Sequence, residues 1–218
     1  FFGQKSLKEV KLSAEQEKLE EIGAGVFAYC TALKSLPVKP VVAGDYAFAG
    51  CSALTLDLSA TERAGAGAFR GCKALTATLD KLEKAGDYAF ADCSALGVIN
   101  LASAVEIGEG AFKNCAKVNV SGINEALKKI GKFAFFKTGI EAETFSIPSG
   151  VEEIGEGAFS ALRKVKAFAI ENNPVYYAEK GALMKKVPNG AEILAFPAGK
   201  SGEATLSDGT VRVAASAF

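Results

Sequence analysis

The chain has no histidine and no tryptophan among its 218 residues. Histidine is the commonest general base and the commonest metal ligand near neutral pH, so its absence argues against most acid–base catalysis and most metal sites. Lysine plus arginine and aspartate plus glutamate both count 25, which leaves no formal net charge. A nucleic-acid-binding surface needs a basic excess to displace counterions from phosphate. We therefore expect no cofactor, no metal and no nucleic-acid partner.

Long apolar segments are also missing. No apolar run approaches the roughly 20 residues of a membrane-spanning helix, so we expect no membrane insertion in this segment. The first residues, Phe1-Phe2-Gly3-Gln4-Lys5, do not have the arrangement of a signal peptide. Hydrophobic residues make up 49% of the chain and charged residues 23%, a balance that is typical of folded globular protein.

The dominant feature of the sequence is an internal repeat. An Ala-Phe or Val-Phe pair recurs every 21 to 24 residues, a cysteine follows three residues after the first five of these phenylalanines, and a leucine or valine follows three residues later. An apolar-Gly step, as in Ile22-Gly23, precedes each pair. A unit of this length cannot bury its own apolar side and must stack on its neighbours. The repeated positions are Phe27, Phe48, Phe69, Phe90, Phe112, Phe135 and Phe159, and Cys30, Cys51, Cys72, Cys93 and Cys115.

Stacking converts each repeated position into a column, so we predict buried columns of phenylalanine, cysteine and leucine. Alternating segments such as 54–58 and 145–147 have the period of a strand. Stacked in register, they would form a parallel sheet with strands about 4.8 Å apart. The Ala-Phe-x-x-Cys stretch is expected to form a short helical turn on the opposite side. The predicted fold is an α/β repeat solenoid, with a parallel β-sheet on one face and short helical turns or loops on the other.

The repeat resembles the BspA-like, or Treponema-type, leucine-rich repeat, whose unit runs Ile-Gly-x-x-Ala-Phe-x-x-Cys-x-x-Leu-x-x-Ile-x-Leu-Pro. The closest match is the segment 145–159, Phe-Ser-Ile-Pro-Ser-Gly-Val-Glu-Glu-Ile-Gly-Glu-Gly-Ala-Phe. The resemblance covers essentially the whole chain, although the second and third units are short and the sequence is rich in alanine and glycine. It implies a leucine-rich-repeat solenoid, a secreted or cell-surface location in bacteria, and a role in adhesion to proteins.

The whole chain, 1–218, is expected to form a single leucine-rich-repeat solenoid. Phe1 precedes Leu7 by the same six residues that separate Phe27 from Leu33, and the last unit stops on Phe218. Solenoids need polar caps at both ends, and these ends resemble partial units, so we expect the chain to be a segment of a longer protein.

The regular period breaks between the seventh phenylalanine and the end of the chain. The stretch 160–210 contains Asn-Asn-Pro-Val-Tyr-Tyr at 172–177 and Gly-Ala-Leu at 181–183, which resemble an extended unit of the same family. We interpret 160–210 as an irregular extended repeat with a hairpin, and the alternative is a separate small module.

The cysteines could in principle bind a metal or form disulfides. Metal sites use ligands a few residues apart, whereas these cysteines are 21 or 22 residues apart, and their side chains would point the same way on successive rungs. We therefore predict that all five are buried, unbridged and metal-free. No serine or cysteine has a candidate base beside it, and the glycine-rich stretch 65–71 is interpreted as a turn, so we predict that the chain is not an enzyme.

Two functions from different classes are compatible with this sequence. The first is a protein–protein interaction or adhesion module for a host or neighbouring-cell surface protein, or for a glycan. The alternative is a structural spacer that carries another functional domain. A patch of exposed aromatic or charged residues on the strand side would favour the first, and a uniformly plain surface the second. The candidate binding residues are Thr55, Asp57, Thr76, Thr78, Asn100, Asn119, Ser121, Thr144 and Ser146, together with Tyr176 and Tyr177.

Overall fold

The repeat units form a stack of rungs around a column of phenylalanine rings. The computed structural model describes residues 1–13 and 18–218. Phe90 is fully buried, and its ring stacks at 5.2 Å on Phe69 and at 5.4 Å on Phe112. Successive rings from Phe1 to Phe159 are nearly parallel, with centroids 5.2 to 6.0 Å apart. The predicted phenylalanine column is confirmed and lies at the centre of the core.

The strands of the structure are short and numerous. In chain order they are β1 (Glu21–Ile22), β2 (Val42–Ala43), β3 (Arg63–Ala64), β4 (Lys84–Ala85), β5 (Val98–Asn100), β6 (Glu106–Ile107), β7 (Asn119–Ser121), β8 (Lys129–Ile130), β9 (Thr144–Ile147), β10 (Glu153–Ile154), β11 (Ala167–Ile170), β12 (Tyr176–Glu179), β13 (Ala182–Val187), β14 (Gly190–Ala195) and β15 (Thr210–Val213).

The longest sheet has seven parallel strands, in the order β1-β2-β3-β4-β6-β8-β10. Each of these strands has two residues, and the second, such as Ala85 in β4, is buried. That buried residue stands five positions before the phenylalanine of its own rung in every unit. Because this count is constant, the strands stay in register although the units differ in length. The parallel stack of strands predicted for a solenoid is therefore present.

The predicted position of the main sheet is wrong. The segment 54–58 is not a strand. Among the described residues, the alternating segments pair only as the two-stranded sheets β5-β7 and β9-β11 and as two isolated bridges, Glu9 with Ser35 and Leu79 with Ile99. Most of the differences in unit length fall between the leucine column and the two-residue strand, and the sixth rung is also one residue shorter between Phe135 and Ile140. The alternating segments therefore cannot keep a common register along the stack, whereas the two-residue strands can.

The predicted helical turns are also absent, since the described residues contain no α-helix. Each Ala-Phe-x-x-Cys turn has left-handed residues two positions before and two positions after its phenylalanine, as at Gly67 and Gly71. A right-handed helix cannot continue through such residues. Alternate amides then point to different partners: Phe69 N donates to Ala89 O of the next rung at 2.7 Å, and Arg70 N donates to Gly67 O of its own rung at 3.0 Å. These turns therefore hydrogen-bond one rung to the next.

The stretch after the seventh rung folds differently. Strands β12, β13 and β14 form an antiparallel sheet, and β15 adds to it parallel to β14. Asn173 connects this sheet to the stack, because its Nδ2 donates to Ser149 O and Val151 O and its Oδ1 accepts from Val175 N and Tyr176 N. Its side chain is nearly buried, and all of these bonds are 2.7 to 2.9 Å long.

Candidate interaction surfaces

The strand face is the surface formed by the side chains that point away from the core in the segments 55–57, 76–78, 98–100, 119–121 and 144–146, which follow the leucine column. The strand pairing places Asn100 beside Ser121 and Ser146 beside Ala169 on neighbouring rungs. Sequence analysis missed Val98 on this face, an apolar side chain that is 50% exposed. The predicted binding residues that are exposed are Thr55, Asp57, Thr76, Thr78, Ser121, Thr144 and Ser146.

One charged side chain on the strand face has a fixed partner. Asp57 accepts from Ser59 and lies 2.8 Å from the Lys39 ammonium. The hydrogen bond from Lys39, followed by those from Ser59, holds the pKa of Asp57 well below its usual range. Asp57 therefore remains a carboxylate, but its charge is already matched by the neighbouring lysine.

The two asparagines of the predicted binding set have structural contacts. Asn100 Oδ1 accepts from Ala102 N at 2.9 Å, and Asn119 Oδ1 accepts from Val120 N at 3.0 Å and from Glu141 N at 3.3 Å. Both side chains are partly buried. Asparagine readily forms such local bonds to backbone amides. Their main contacts are therefore with the backbone of their own and adjacent rungs.

The tyrosine pair is divided between the core and the surface. Tyr176 is 3% exposed, and its hydroxyl accepts from Ile154 N at 3.0 Å. The prediction that Tyr176 lies on a binding surface is wrong, because alternation along β12 turns it inward against the seven-stranded sheet. Tyr177 is partly exposed and remains available on the other side of the strand.

A second surface, the turn face, consists of the exposed side chains of the glycine-to-cysteine turns. Two positions before the phenylalanine, glycine and an aromatic residue alternate from rung to rung, and all have left-handed φ: Gly25, Tyr46, Gly67, Tyr88, Gly110, Phe133 and Gly157. Each aromatic ring packs on the glycine of the next rung. A methyl group added to Gly110 would lie 2.5 Å from Tyr88, and one added to Gly67 would lie 2.6 Å from Tyr46.

Cations lie over several of these rings. The Arg70 guanidinium is 5.8 Å from the centre of the Tyr88 ring, and Lys113 Nζ is 5.7 Å from the centre of the Phe133 ring. Tyr88 and Phe133 are thus each covered by a cation of the preceding rung and a glycine of the following rung. Because these contacts cover the rings, stacking of a sugar ring on them is disfavoured. Tyr46 is 53% exposed, and no cation of residues 1–13 or 18–218 lies over its ring.

Acidic residues complete the turn face. Asp45 Oδ1 accepts from Ala66 N and Asp87 Oδ1 accepts from Glu109 N, each at 2.8 Å and each across one rung. The Glu109 carboxylate accepts a hydrogen bond from the Tyr88 hydroxyl, and this bond raises the pKa of Tyr88. These carboxylates satisfy donors of neighbouring rungs, and none is arranged as a catalytic acid–base pair.

Comparison with known sequences places these features in one family. The profile of the BspA type leucine rich repeat region matches six copies, over residues 1–105 and 83–186. The chain belongs to this family. No curated protein shows significant sequence similarity to it.

Several solved structures share the fold of this chain. A leucine rich cell surface protein from Faecalibacterium prausnitzii is 21% identical, with a TM-score of 0.75 over 94% of this chain and 57% of that one. A leucine-rich repeat protein from Bacteroides ovatus is 23% identical, with a TM-score of 0.64 over 79% of this chain and 51% of that one. The pneumococcal vaccine antigen PcpA is 20% identical, with a TM-score of 0.63 over 97% of this chain and 55% of that one. The chain spans little more than half the length of these proteins.

The cysteine column of the BspA-type repeat is part of the core. All five cysteines are free and buried, so the predicted burial and lack of bridges are confirmed. Each thiol donates to the backbone carbonyl of the phenylalanine one rung earlier; Cys93 Sγ, for example, lies 3.0 Å from Phe69 O. The thiols therefore satisfy carbonyls in the core, a role that the spacing of the cysteines alone does not indicate.

We predict that none of the five thiols reacts with Ellman's reagent at pH 8 in the native protein. Burial raises the pKa of Cys51 and of Cys115 to about 12, so the reactive thiolate is almost absent. All five should react in denaturant without added reductant. Fewer than five reactive thiols after unfolding would reveal a disulfide, and fast native reaction would contradict burial.

Proposed function

We propose that the chain is a non-enzymatic protein-binding or adhesion module of a secreted or cell-surface bacterial protein. Membership of the BspA type leucine-rich-repeat family supports this function, since such repeat domains commonly bind proteins. The cell-surface description of the Faecalibacterium protein supports the location. Within residues 1–13 and 18–218 no helix has both the length and the apolarity to cross a membrane.

The observation that carries this proposal is the row of exposed small polar side chains on the strand face. Thr55, Thr78, Ser121 and Ser146 come from four different rungs and are all exposed. A small-molecule site needs a concave pocket with a few fixed polar groups, whereas side chains fill the interior of this stack. A macromolecule that spans several rungs is the ligand that fits such a surface, and a protein suits it better than a glycan because Val98 adds apolar area.

The alternative function is a structural spacer that carries another functional domain. It is favoured by the contacts of Asn100, Asn119 and Asp57, whose polar groups already have partners within the chain. A face whose polar residues serve mainly to connect rungs needs no external ligand. The two functions predict different outcomes when the exposed side chains alone are replaced.

We predict that replacing Thr55, Thr78, Ser121 and Ser146 together with lysine weakens binding to partners identified on an array of extracellular proteins and glycans. The four side chains are exposed, so the thermal midpoint should change by only a few degrees. Bulk and charge added across the face should lower affinity at least tenfold. Surface plasmon resonance with the strongest array partner measures the change.

The matched control adds four lysines elsewhere, at Ala24, Val42, Ser94 and Val105. Other rungs carry lysine at the equivalent positions, namely Lys132, Lys84, Lys73 and Lys128. This variant has the same net charge and should bind as the parent does. If both variants bind equally well, or if no array partner binds the parent, the spacer function replaces the proposal.

A further inference from the structure

The sixth rung is one residue shorter than its neighbours after the phenylalanine. The fifth rung has two residues between Cys115 and Val118, whereas the sixth has only Gly139 between Thr138 and Ile140. Gly139 lies directly against the backbone carbonyl of Ala116 in the fifth rung, with no room for a side chain. Because the shortened segment is held against the fifth rung, a gap opens between it and the seventh.

This gap is a cleft of about 350 Å³ between three rungs. Its apolar surface is formed by Ala116, Ile140 and Ala161, with the carbon atoms of Thr138. The Thr138 hydroxyl is directed away from a ligand, because it donates to Phe135 O at 3.0 Å. The cleft therefore offers apolar contact but few groups that could bind the hydroxyls of a sugar.

Three cationic side chains, those of Lys137, Arg163 and Lys164, line the same cleft. Lys164 is paired with Glu141, which is the one carboxylate among the described residues that line the cleft. No described carboxylate forms an ion pair with Lys137 or Arg163, although Lys137 Nζ lies 5.0 Å from the centre of the Phe136 ring. The cleft thus combines an apolar base with two exposed cations that lack an anionic partner.

We propose that this cleft binds an acidic peptide segment in which a small apolar residue lies beside carboxylates. The apolar side chain packs against Ala116 and Ala161, and a flanking carboxylate pairs with the Arg163 guanidinium, which can donate two parallel hydrogen bonds to it. Lys137 attracts a second carboxylate. The site is separate from the strand face and does not depend on the function proposed for that surface.

The test is an NMR titration of the ¹⁵N-labelled chain with the peptide Asp-Asp-Val-Asp-Asp. We expect saturable shifts of the Gly139 and Ala161 amide signals that weaken as salt is raised from 50 to about 300 mM. The peptides Lys-Lys-Val-Lys-Lys and Asp-Asp-Gly-Asp-Asp separate the charge and apolar contributions. The first should not bind, and the second should bind at least threefold more weakly.

A double charge reversal, Lys137→Glu with Arg163→Glu, should weaken the acidic peptide at least tenfold. The matched control, Lys73→Glu with Lys81→Glu, changes the net charge equally at exposed positions outside the cleft and should bind as the parent does. Absence of saturable shifts, equal weakening by both variants, or tighter binding of a sulfated heparin tetrasaccharide at the cleft would overturn the proposal.

Discussion

Replacing Phe90 with alanine should lower the free energy of unfolding by about 3–5 kcal/mol, the range for a fully buried phenylalanine. The ring contacts Phe69 and Phe112 through its two faces, so its removal leaves a cavity and also deprives two further rings of their stacking partner. The nearest backbone is held by hydrogen bonds between rungs and cannot collapse into the space. Urea unfolding followed by circular dichroism measures the change.

Phe2→Ala is the control for this substitution. Phe2 is 67% exposed and lies outside the column, in contact with the edge of Tyr29. Its removal should cost less than about 1 kcal/mol, as is usual for exposed side chains. If the two substitutions destabilise the protein equally, the phenylalanine column does not have the central role in the core assigned to it here.

Gly110→Ala should be destabilising for two independent reasons. Gly110 has φ of +57°, where an L-residue costs about 1–2 kcal/mol. The new methyl group would also lie 2.5 Å from the Tyr88 ring, and overpacking of this kind costs about 1–3 kcal/mol. The free energy of unfolding should therefore fall by about 2–5 kcal/mol in the same urea experiment.

Two comparisons separate these contributions. Gly25 has φ of +66°, but a methyl group there would meet only Phe2, at 4.0 Å, so Gly25→Ala should cost about 1–2 kcal/mol. In a Tyr88→Ala background, Gly110→Ala should lower the free energy of unfolding by the same small amount as Gly25→Ala. Equal costs at Gly25 and Gly110 in the native sequence would show that the aromatic ring does not press on the glycine.

The buried columns could be predicted from the sequence because they depend on spacing alone. A residue that recurs once per rung must stack on its equivalent in the next rung, and this requirement placed Phe90 and Cys93 correctly in the core. The conformation of the intervening turn was predicted wrongly. Alanine and phenylalanine are compatible with a helix, and the left-handed positions two residues on either side of the phenylalanine are not visible in an averaged pattern.

A signal for the left-handed turns was nevertheless present. Two residues after the phenylalanine, four successive rungs carry Gly50, Gly71, Asp92 and Asn114, the residue types that most readily adopt positive φ. The main sheet was harder to find, because a two-residue strand is too short to show an alternating pattern. Its constant distance from the phenylalanine was the available clue.

For the candidate binding face, the sequence correctly predicted that small side chains on the alternating segments are exposed. Thr55 and Ser121 are examples. The prediction was wrong for Tyr176, because a tyrosine hydroxyl can be satisfied by a backbone amide inside the protein. The cleft beside Gly139 could not be predicted, since a one-residue deletion gives no indication of which neighbouring rung the chain moves towards.

The hydrogen bonds between successive turns provide the most direct test of the structure. NMR scalar couplings across hydrogen bonds identify the acceptor of each amide. The Phe69 amide should show a coupling to the carbonyl carbon of Ala89, one rung later, where the N–O distance is 2.7 Å. A coupling of that amide to the carbonyl carbon of Gly65, the α-helical acceptor, would contradict the stacked-turn structure.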